Sequence, residues 1–350
     1  MEKPTRMALS RRKIIFLALA FMGRALASGT ARGQQGLWTV TDKLNRTVTV
    51  AVPVARAVVI ITYELIPVLG LWDKVVGVSR WAEQECDVYR ALLQKHPQWQ
   101  RPHTGVGTDV NVETILSLRP DVVVTWAYNA EAVEFLEQKG LPVIAVYPDG
   151  IRELYEVIRL HGRLFGVEQR TEEVLSGMDH LLNMIRERAG RIPPAARRKV
   201  LQLGGKPTTV SCAVGVTNDI IELIGAVNPA STLKQRSTDV SVERIIAWNP
   251  DVLFIWGNAG YSPEQILDGA LWQHVTAVRQ KRVYKLPKWS TWSPRLPLIA
   301  LWMAQKTYPE VFADVDFEAV ADSVYRDFYG ISYKAVASSN FPETQAARKP

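Results

Sequence analysis

Runs of β-branched and other apolar residues alternate with amphipathic stretches along the chain. Residues 57–61 and 75–78 predict two buried strands, and residues 64–71 between them predict a helix. In the second half, residues 199–203 predict a strand and residues 219–224 a helix. Because strands that alternate with helices form parallel sheets with helices on both faces, the pattern predicts an α/β fold.

One motif occurs twice in the same register, 130 residues apart. The first copy starts TDVNVE, passes through Pro-Asp-Val and ends at Trp126; the second starts TDVSVE, passes through the same tripeptide and ends at Trp256. The fourth residue of each copy, Asn111 or Ser241, is a favourable helix N-cap, and a proline ends each helix. The repeat therefore predicts two similar lobes, each with a helix, a turn and a buried parallel strand.

The segment between the two copies has a different pattern. Residues 151–191 show no strand signal, and an apolar stripe through Leu154, Ile158 and Leu182 predicts a helix. We expect two Rossmann-like lobes with parallel sheets, joined by one long connecting helix that allows only a modest hinge. The predicted parts are a signal peptide (1–27), an N-terminal lobe (28–148), the connecting helix (149–192), a C-terminal lobe (193–335) and a flexible tail (336–350).

The first 27 residues have the features of an export signal. Five basic residues precede the apolar run 14–22, and Ala25-Leu26-Ala27 forms a small-x-small cleavage site. The apolar run is too short to span a bilayer as a helix. The Arg11-Arg12 pair is compatible with twin-arginine export as well as with an ordinary Sec signal. We therefore expect an exported protein without stable membrane insertion.

The export segment also carries most of the net charge. Residues 1–27 contain six Lys or Arg and one Glu, so five of the seven net positive charges of the chain lie there. The rest of the chain carries about +2, which gives no argument for a nucleic-acid partner.

Cysteine and histidine usage gives no metal-binding pattern. Cys86 and Cys212 lie in different halves of the chain, outside any C-x-x-C motif, and we expect two buried thiols that are not paired with each other. The five histidines do not cluster with carboxylates in the sequence, and first-row metals need several converging donors. A site for a bare metal ion is therefore not expected.

Four ordered segments resemble the periplasmic binding proteins of ABC importers for iron complexes, haem and vitamin B12. They are the hairpin at 40–48, the two Val-Glu helices that lead to Pro-Asp strands, the segment 293–310, and Asp-Phe-Tyr-Gly at 327–330. The resemblance implies a periplasmic solute-binding protein, not an enzyme, with two lobes around a shallow cleft and an ABC permease as its membrane partner.

The resemblance also assigns a role to one glutamate in each lobe. Glu113 and Glu243 match the family position that docks onto arginines of the permease. A glutamate in a first helical turn is also favoured by the helix dipole alone, so this structural role stays open beside the docking role.

Ligand contacts are expected in the loops after the strands, because ligands of open α/β sheets bind beyond the carboxyl ends of the strands. Aromatic side chains are concentrated there, which suits a flat or apolar ligand. Basic residues in the same loops offer positive charge for an anionic chelate, although Arg295 also stands beside a helix start. The expected ligand-binding residues are Arg80, Trp81, Trp126, Tyr128, Trp256, Lys288, Trp289, Trp292 and Arg295.

These features predict the capture of a ferric siderophore or a similar metal chelate, with no resident cofactor. A corrinoid or haem is the alternative ligand within the same family. The loop 288–292 contains no tyrosine of the kind that would bind iron directly in this family. Recognition of a whole complex is therefore expected. An exported sensor or a chelatase-like enzyme is the competing class. Against an enzyme, the sequence contains no P-loop, G-x-S-x-G or H-E-x-x-H motif.

Overall fold

The structure is a computed structural model that describes residues 36–106 and 109–336. The predicted signal peptide and all but the first residue of the predicted tail lie outside these ranges. The strands are β1 (Gly36–Thr41), β2 (Thr47–Val52), β3 (Ala57–Val59), β4 (Val75–Val78), β5 (Gly105–Val106), β6 (Asp109–Val110), β7 (Val122–Trp126), β8 (Val143–Val146), β9 (Val200–Leu203), β10 (Thr209–Ser211), β11 (Ser237–Asp239), β12 (Val252–Ile255) and β13 (Val283–Lys285).

The α-helices surround two sheets. They are α1 (Leu65–Val68), α2 (Trp81–Gln84), α3 (Asp87–Lys95), α4 (Val112–Leu118), α5 (Ala130–Gln138), α6 (Ile151–Phe165), α7 (Glu168–Ala189), α8 (Val216–Leu223), α9 (Val242–Trp248), α10 (Pro263–Leu267), α11 (Thr276–Arg279), α12 (Leu296–Thr307) and α13 (Phe317–Tyr329).

The first lobe contains a four-stranded parallel sheet in the order β4-β3-β7-β8. Its central strands, β3 and β7, are buried except for Trp126 at the end of β7, as their β-branched composition predicts. The β1-β2 hairpin docks on this sheet, because the Lys43 amide donates to the Ala145 carbonyl and the Ala145 amide donates to Asp42. Asn45 takes the left-handed conformation in the hairpin turn, with φ of 60°.

The second lobe differs from the predicted all-parallel sheet. Its five strands have the order β11-β10-β9-β12-β13, and β9, β12 and β13 are parallel. Strand β10 is antiparallel to both of its neighbours, β9 and β11. Its pairing with β9 is antiparallel because only residues 204–208 separate the two strands and a parallel crossover needs a dozen or more residues. Thr238 and Asp239, the first two residues of the second copy of the motif, lie in the edge strand β11.

The repeated motif folds the same way in both lobes, as predicted. Asn111 and Ser241 cap α4 and α9, each accepting a hydrogen bond from the amide three residues later. Both helices end in a left-handed residue with φ of 46°, Arg119 in one lobe and Asn249 in the other. The aspartate of each Pro-Asp turn then accepts amide hydrogen bonds from the start of the neighbouring strand, β3 or β9.

The connecting segment is two helices and not the single predicted one. Gly166 ends α6 in the left-handed region, with φ of 66°, and the 22-residue α7 starts two residues later. The apolar stripe continues across this break, which is why periodicity alone predicted one helix. Helix α7 packs against α6, α8 and α12 and so forms the long element between the lobes.

One hydrophobic core extends across both lobes. It includes buried residues from β2 and β3 of the first lobe, from α6, α7, α12 and α13, and from β9 and β12 of the second lobe. Helix α13, which follows the second lobe in the chain, packs against α1 of the first lobe. Within the described ranges, no helix is both long enough and apolar enough to cross a membrane.

Candidate ligand-binding cleft

A cavity of about 220 Å³ lies between the lobes, at the carboxyl ends of the parallel strands. Strands β3, β7, β9, β12 and β13 of the two sheets all contribute residues at or just beyond their ends. Five tryptophans line the cavity: Trp81, Trp126, Trp256, Trp289 and Trp292. Lys288 lines it as well, so six of the nine predicted ligand-binding residues are brought together here.

The two tryptophans of the repeat have different surroundings. Trp126 ends β7 and packs among aromatic rings, with its ring centre 5.3 Å from Tyr128 and 6.4 Å from Trp81. Trp256 follows β12, and 45% of its surface is exposed. Of the two repeated side chains, Trp256 therefore offers the freer ring face to a ligand.

The loop between β13 and α12 brings two further tryptophans to the cavity. Trp292 contacts the first lobe, with its ring centre 5.0 Å from Trp126 and 4.6 Å from Tyr147. Trp289 is only 6% exposed and stacks on Phe317, with the two ring centres 6.4 Å apart. Trp292 thus bridges the lobes, whereas Trp289 mainly supports the cavity wall.

Two predicted residues lie near the cavity but do not line it. Tyr128 is 56% exposed on the rim and presents its ring to Trp126. Arg80 lines a separate shallow cavity of about 280 Å³ that it shares with His103. The Nε2 atom of His103 lies 2.8 Å from a carboxylate oxygen of Glu83, so this ring already has a partner.

Arg295 does not line the cavity, contrary to the expectation that it reaches the ligand. Its side chain is fully buried behind the cavity. The guanidinium donates to both carboxylate oxygens of Glu64 at 2.6 and 2.9 Å, to Asp87 at 2.6 Å and to Tyr325 at 2.9 Å. Burial disfavours its charged form, but the carboxylates of Asp87 and Glu64 raise the pKa of Arg295 above its ordinary value.

The Arg295 cluster joins the two lobes. Glu64 and Asp87 belong to the first lobe, whereas Arg295 precedes α12 after the last strand of the second. Glu64 is also a wall residue of the cavity. The cavity wall therefore contains a carboxylate that is held in place by the other lobe.

A buried histidine supports the turn that carries Glu64. Thr62 takes a left-handed conformation with φ of 64°, directly before Tyr63 and Glu64, which both line the cavity. His161 of α6 donates from Nδ1 to the Val157 carbonyl at 2.8 Å, and its Nε2 lies 3.0 Å from the Thr62 hydroxyl, which itself donates to the Ile61 carbonyl. Burial lowers the pKa of His161 to about 4, which keeps the ring neutral at ordinary pH.

Several wall residues were not among the expected ligand contacts. Glu85 faces Lys288 across the cavity rim, 3.5 Å away, and Gln202 and Thr217 come from β9 and α8. Gln202 carries a sequence signal, because it is a polar residue inside an otherwise apolar buried strand. Glu85, directly after α2, and Thr217, in α8, carry none, since nothing in the local sequence indicates which side meets the cleft.

The expected docking glutamates lie in matching places outside the cavity. Glu113 and Glu243 are exposed in the first turns of α4 and α9. Hydrogen bonds from its own backbone amide and from Ser241 lower the pKa of Glu243, so this carboxylate is ionised at neutral pH. Both side chains are available to a partner.

The described ranges contain no group of three or more His, Cys, Asp or Glu side chains that could hold a metal ion. Cys86 and Cys212 are both free and buried, as expected. Burial raises the pKa of the Cys86 thiol, which favours its protonated form. The cleft therefore offers aromatic faces, carboxylates and one lysine to a ligand.

Comparison with known proteins gives close overall matches. The molybdate-binding protein MolA of Haemophilus influenzae is 27% identical over 328 residues, which cover 84% of this chain and 92% of MolA. The structure of Helicobacter pylori CeuE in a nickel–histidine complex is 30% identical and covers 87% of this chain and 100% of its own, with a TM-score of 0.76. The vitamin B12-binding BtuF of Vibrio cholerae shares the fold, at 18% identity and a TM-score of 0.58 over 73% of this chain and 97% of its own.

A family model described as "Periplasmic binding protein" matches residues 59–289, which include most of the two larger sheets and most residues that line the cavity. The relatives are solute-binding proteins, and MolA is described as the cognate binding protein of an ABC transporter. Fold, cleft and similarity thus agree, and the chain belongs to the periplasmic binding protein family, the solute-binding components of ABC transporters.

Proposed function

We propose that this protein captures a compact metal chelate in the cleft between its lobes and delivers it to an ABC permease. A ferric siderophore of small size, or a similar complex of another metal, is the ligand class. The main support for this proposal is the lining of the cavity, because tryptophans from both lobes surround the space at the strand ends. Their rings suit the organic shell of a chelate and lose little conformational entropy on binding.

The size of the cavity favours the smaller ligands of the family. Its volume of about 220 Å³ is below the range of roughly 300–1,000 Å³ that is typical of pockets for drug-sized ligands. A corrinoid or haem is larger than such ligands and needs an opened cleft. The relative in a nickel–histidine complex supports a compact chelate as cargo.

An oxyanion is the second candidate ligand. MolA, which resembles this chain over most of its length, is a molybdate-binding protein. Lys288 gives the cavity one positive side chain for such an anion. The two candidates are separable, since a chelate buries an organic surface against the tryptophans and an oxyanion does not.

The test is a titration of the purified protein followed by tryptophan fluorescence and calorimetry. The ligands are ferric tris-hydroxamate and tris-catecholate siderophores, bis(histidinato)nickel(II), cyanocobalamin, haemin and molybdate. We expect saturable one-to-one binding of a compact chelate with quenching of the fluorescence. Binding of molybdate alone would support the second candidate, and silence across the panel would contradict a transport role for metal complexes.

Docking to the permease through Glu113 and Glu243 is the second part of the proposal. Reversing both charges, Glu113→Arg with Glu243→Arg, is expected to abolish uptake and leave ligand affinity unchanged. The matched control is Glu264→Arg with Glu318→Arg, which reverses two exposed glutamates that also lie in first helical turns. Loss of ligand affinity in the first double variant, or equal loss of uptake in the control, contradicts the docking role.

Export to the periplasm through residues 1–27 is part of the same proposal, by a Sec or a twin-arginine signal. A periplasmic location supplies the compartment in which a binding protein meets the permease. It also separates the chain from the nucleotides that a chelatase-like enzyme uses. Cell fractionation with Arg11→Lys/Arg12→Lys distinguishes the routes, because twin-arginine export depends on the arginine pair and Sec export accepts lysine.

A further inference from the structure

We propose that the cleft selects chelates whose bound face is neutral or positively charged and discriminates against anionic ones. This inference rests on the proposed function and narrows its ligand class. It differs from the first expectation from the sequence, in which basic residues served an anionic chelate.

The first support is the charge of the cavity wall and the groups bonded to it. Glu64 and Glu85 line the cavity, and Asp87 shares the buried Arg295 with Glu64. Among the described residues that line the cavity, Lys288 is the positive one, and it faces Glu85; Arg295 lies behind the wall. Three carboxylates thus stand against two cations, which leaves one formal negative charge at the cavity.

The position of Arg295 strengthens this argument. Its guanidinium is fully buried and already donates to Glu64, Asp87 and Tyr325, so it offers no donor to an anion in the cleft. Both oxygens of Glu64 keep a second lone pair beyond the Arg295 hydrogen bonds. Arg295, which the sequence analysis predicted as a basic ligand contact, therefore holds the Glu64 carboxylate at the cavity wall and offers no positive charge to the ligand.

The second support is the aromatic lining. Trp81, Trp126, Trp256 and Trp292 surround the same space, together with Tyr63. The faces of aromatic rings carry negative potential and attract cations within about 6 Å, most strongly where water is excluded. Ring faces and carboxylates thus act in the same direction.

A pair of inert complexes with the same shape tests the charge preference. Tris(ethylenediamine)cobalt(III) and tris(oxalato)cobaltate(III) are both octahedral tris-chelates, with charges of opposite sign. We expect calorimetry to give an affinity about tenfold or more higher for the ethylenediamine cation, with the difference falling as salt is added. Equal binding, or tighter binding of the oxalate anion, overturns the inference while the metal-chelate function stands.

A metal-free pair separates the inference from the proposed function. Choline and 3,3-dimethylbutan-1-ol have the same shape and differ in one positive charge. If no metal complex binds but choline binds better than the alcohol, the charge preference stands and the metal-chelate function fails. If none of the four probes binds, both fail.

Two rim variants give opposite predictions for the cobalt pair. Glu85→Gln should weaken binding of the ethylenediamine cation by about threefold to tenfold, and Lys288→Gln should strengthen it by a similar factor. Both side chains are partly exposed, and the distance of 3.5 Å between Lys288 Nζ and the Glu85 carboxylate is long for an ion pair. Neither change is therefore expected to affect folding. A shift in the same direction in both variants would assign the effect to altered packing and overturn the charge argument.

Discussion

His161 lies beneath the turn that presents Tyr63 and Glu64 to the cavity, although it is remote from both in sequence. Its Nδ1 donates to the Val157 carbonyl, and its Nε2 lies 3.0 Å from the hydroxyl of the left-handed Thr62. A protonated ring would carry a positive charge in a fully buried place. At the scale of single residues, the cleft therefore depends on one neutral imidazole.

The stability of the protein should fall as His161 titrates. Burial lowers its folded-state pKa from 6.5 to about 4, so between these values the unfolded chain binds a proton that the folded chain does not. The free energy of unfolding should decrease by about 3 kcal/mol between pH 7 and pH 4 from this group alone. Urea unfolding across this pH range measures the effect.

His161→Gln should remove that part of the pH dependence, whereas His180→Gln, at an exposed position on α7, should leave it intact. An unchanged slope in His161→Gln would show that the pH dependence has another source.

The buried Arg295 is the other residue on which the cleft depends. Arg295→Met leaves Glu64 and Asp87 without their cation and should lower the free energy of unfolding by about 3–5 kcal/mol. Arg326→Met breaks an exposed pair with Asp322 and should cost less than about 1 kcal/mol. Similar losses in the two variants, measured by urea unfolding, would contradict a special role for the buried cluster.

Helices α4 and α9 show how the repeat is built at the scale of elements. Each starts at a side-chain cap and ends in a left-handed residue. The left-handed conformation is strained for a residue with a side chain, but only Asn249 has a compensating contact, since its side chain accepts from the Thr276 amide at 2.8 Å. The two copies therefore differ in how they tolerate the same turn.

Arg119→Gly should raise the free energy of unfolding by up to about 1 kcal/mol, because glycine takes this conformation without strain. Asn249→Gly should bring no gain, since it also loses the hydrogen bond to Thr276. Thermal unfolding of the two variants beside the wild type measures the difference. Equal effects at both sites would contradict this explanation.

Local pattern predicted the central strands, the repeat and its caps, because buried strands and helix ends depend on nearby residues. It missed the break at Gly166 and the strands β10 and β11. The pairing of β10 with β9 depends on the short turn between them, and β11 pairs with β10 over a long separation in sequence. It also misplaced Arg295, whose partner Glu64 lies 231 positions earlier in the chain. The tryptophans were found because strand ends converge in this fold, whereas Glu85 and Thr217 reach the cleft only through tertiary packing.

At the scale of the whole molecule, the lobes are connected at several places. Helix α7 runs between them, Arg295 ties α12 to the first lobe, and Arg236 of the second lobe pairs with Asp149. The Arg236 guanidinium also stacks on Tyr147 of the first lobe at 4.0 Å. These contacts oppose a wide separation of the lobes.

The hinge should therefore be small, as the connecting helix suggested from the sequence. Small-angle scattering with and without saturating ligand should show little change in the radius of gyration. Contraction as large as that of a binding protein whose lobes are joined by flexible strands would contradict the account.

The central claim is that the ligand lies between the lobes against the exposed face of Trp256. The measurement is the dissociation constant of the tightest chelate of the panel for Trp256→Ala, beside Phe135→Ala, which removes an exposed ring of α5 outside the cavity. We predict at least about tenfold weaker binding for Trp256→Ala and unchanged binding for Phe135→Ala. Wild-type affinity in Trp256→Ala would contradict the cleft as the binding site.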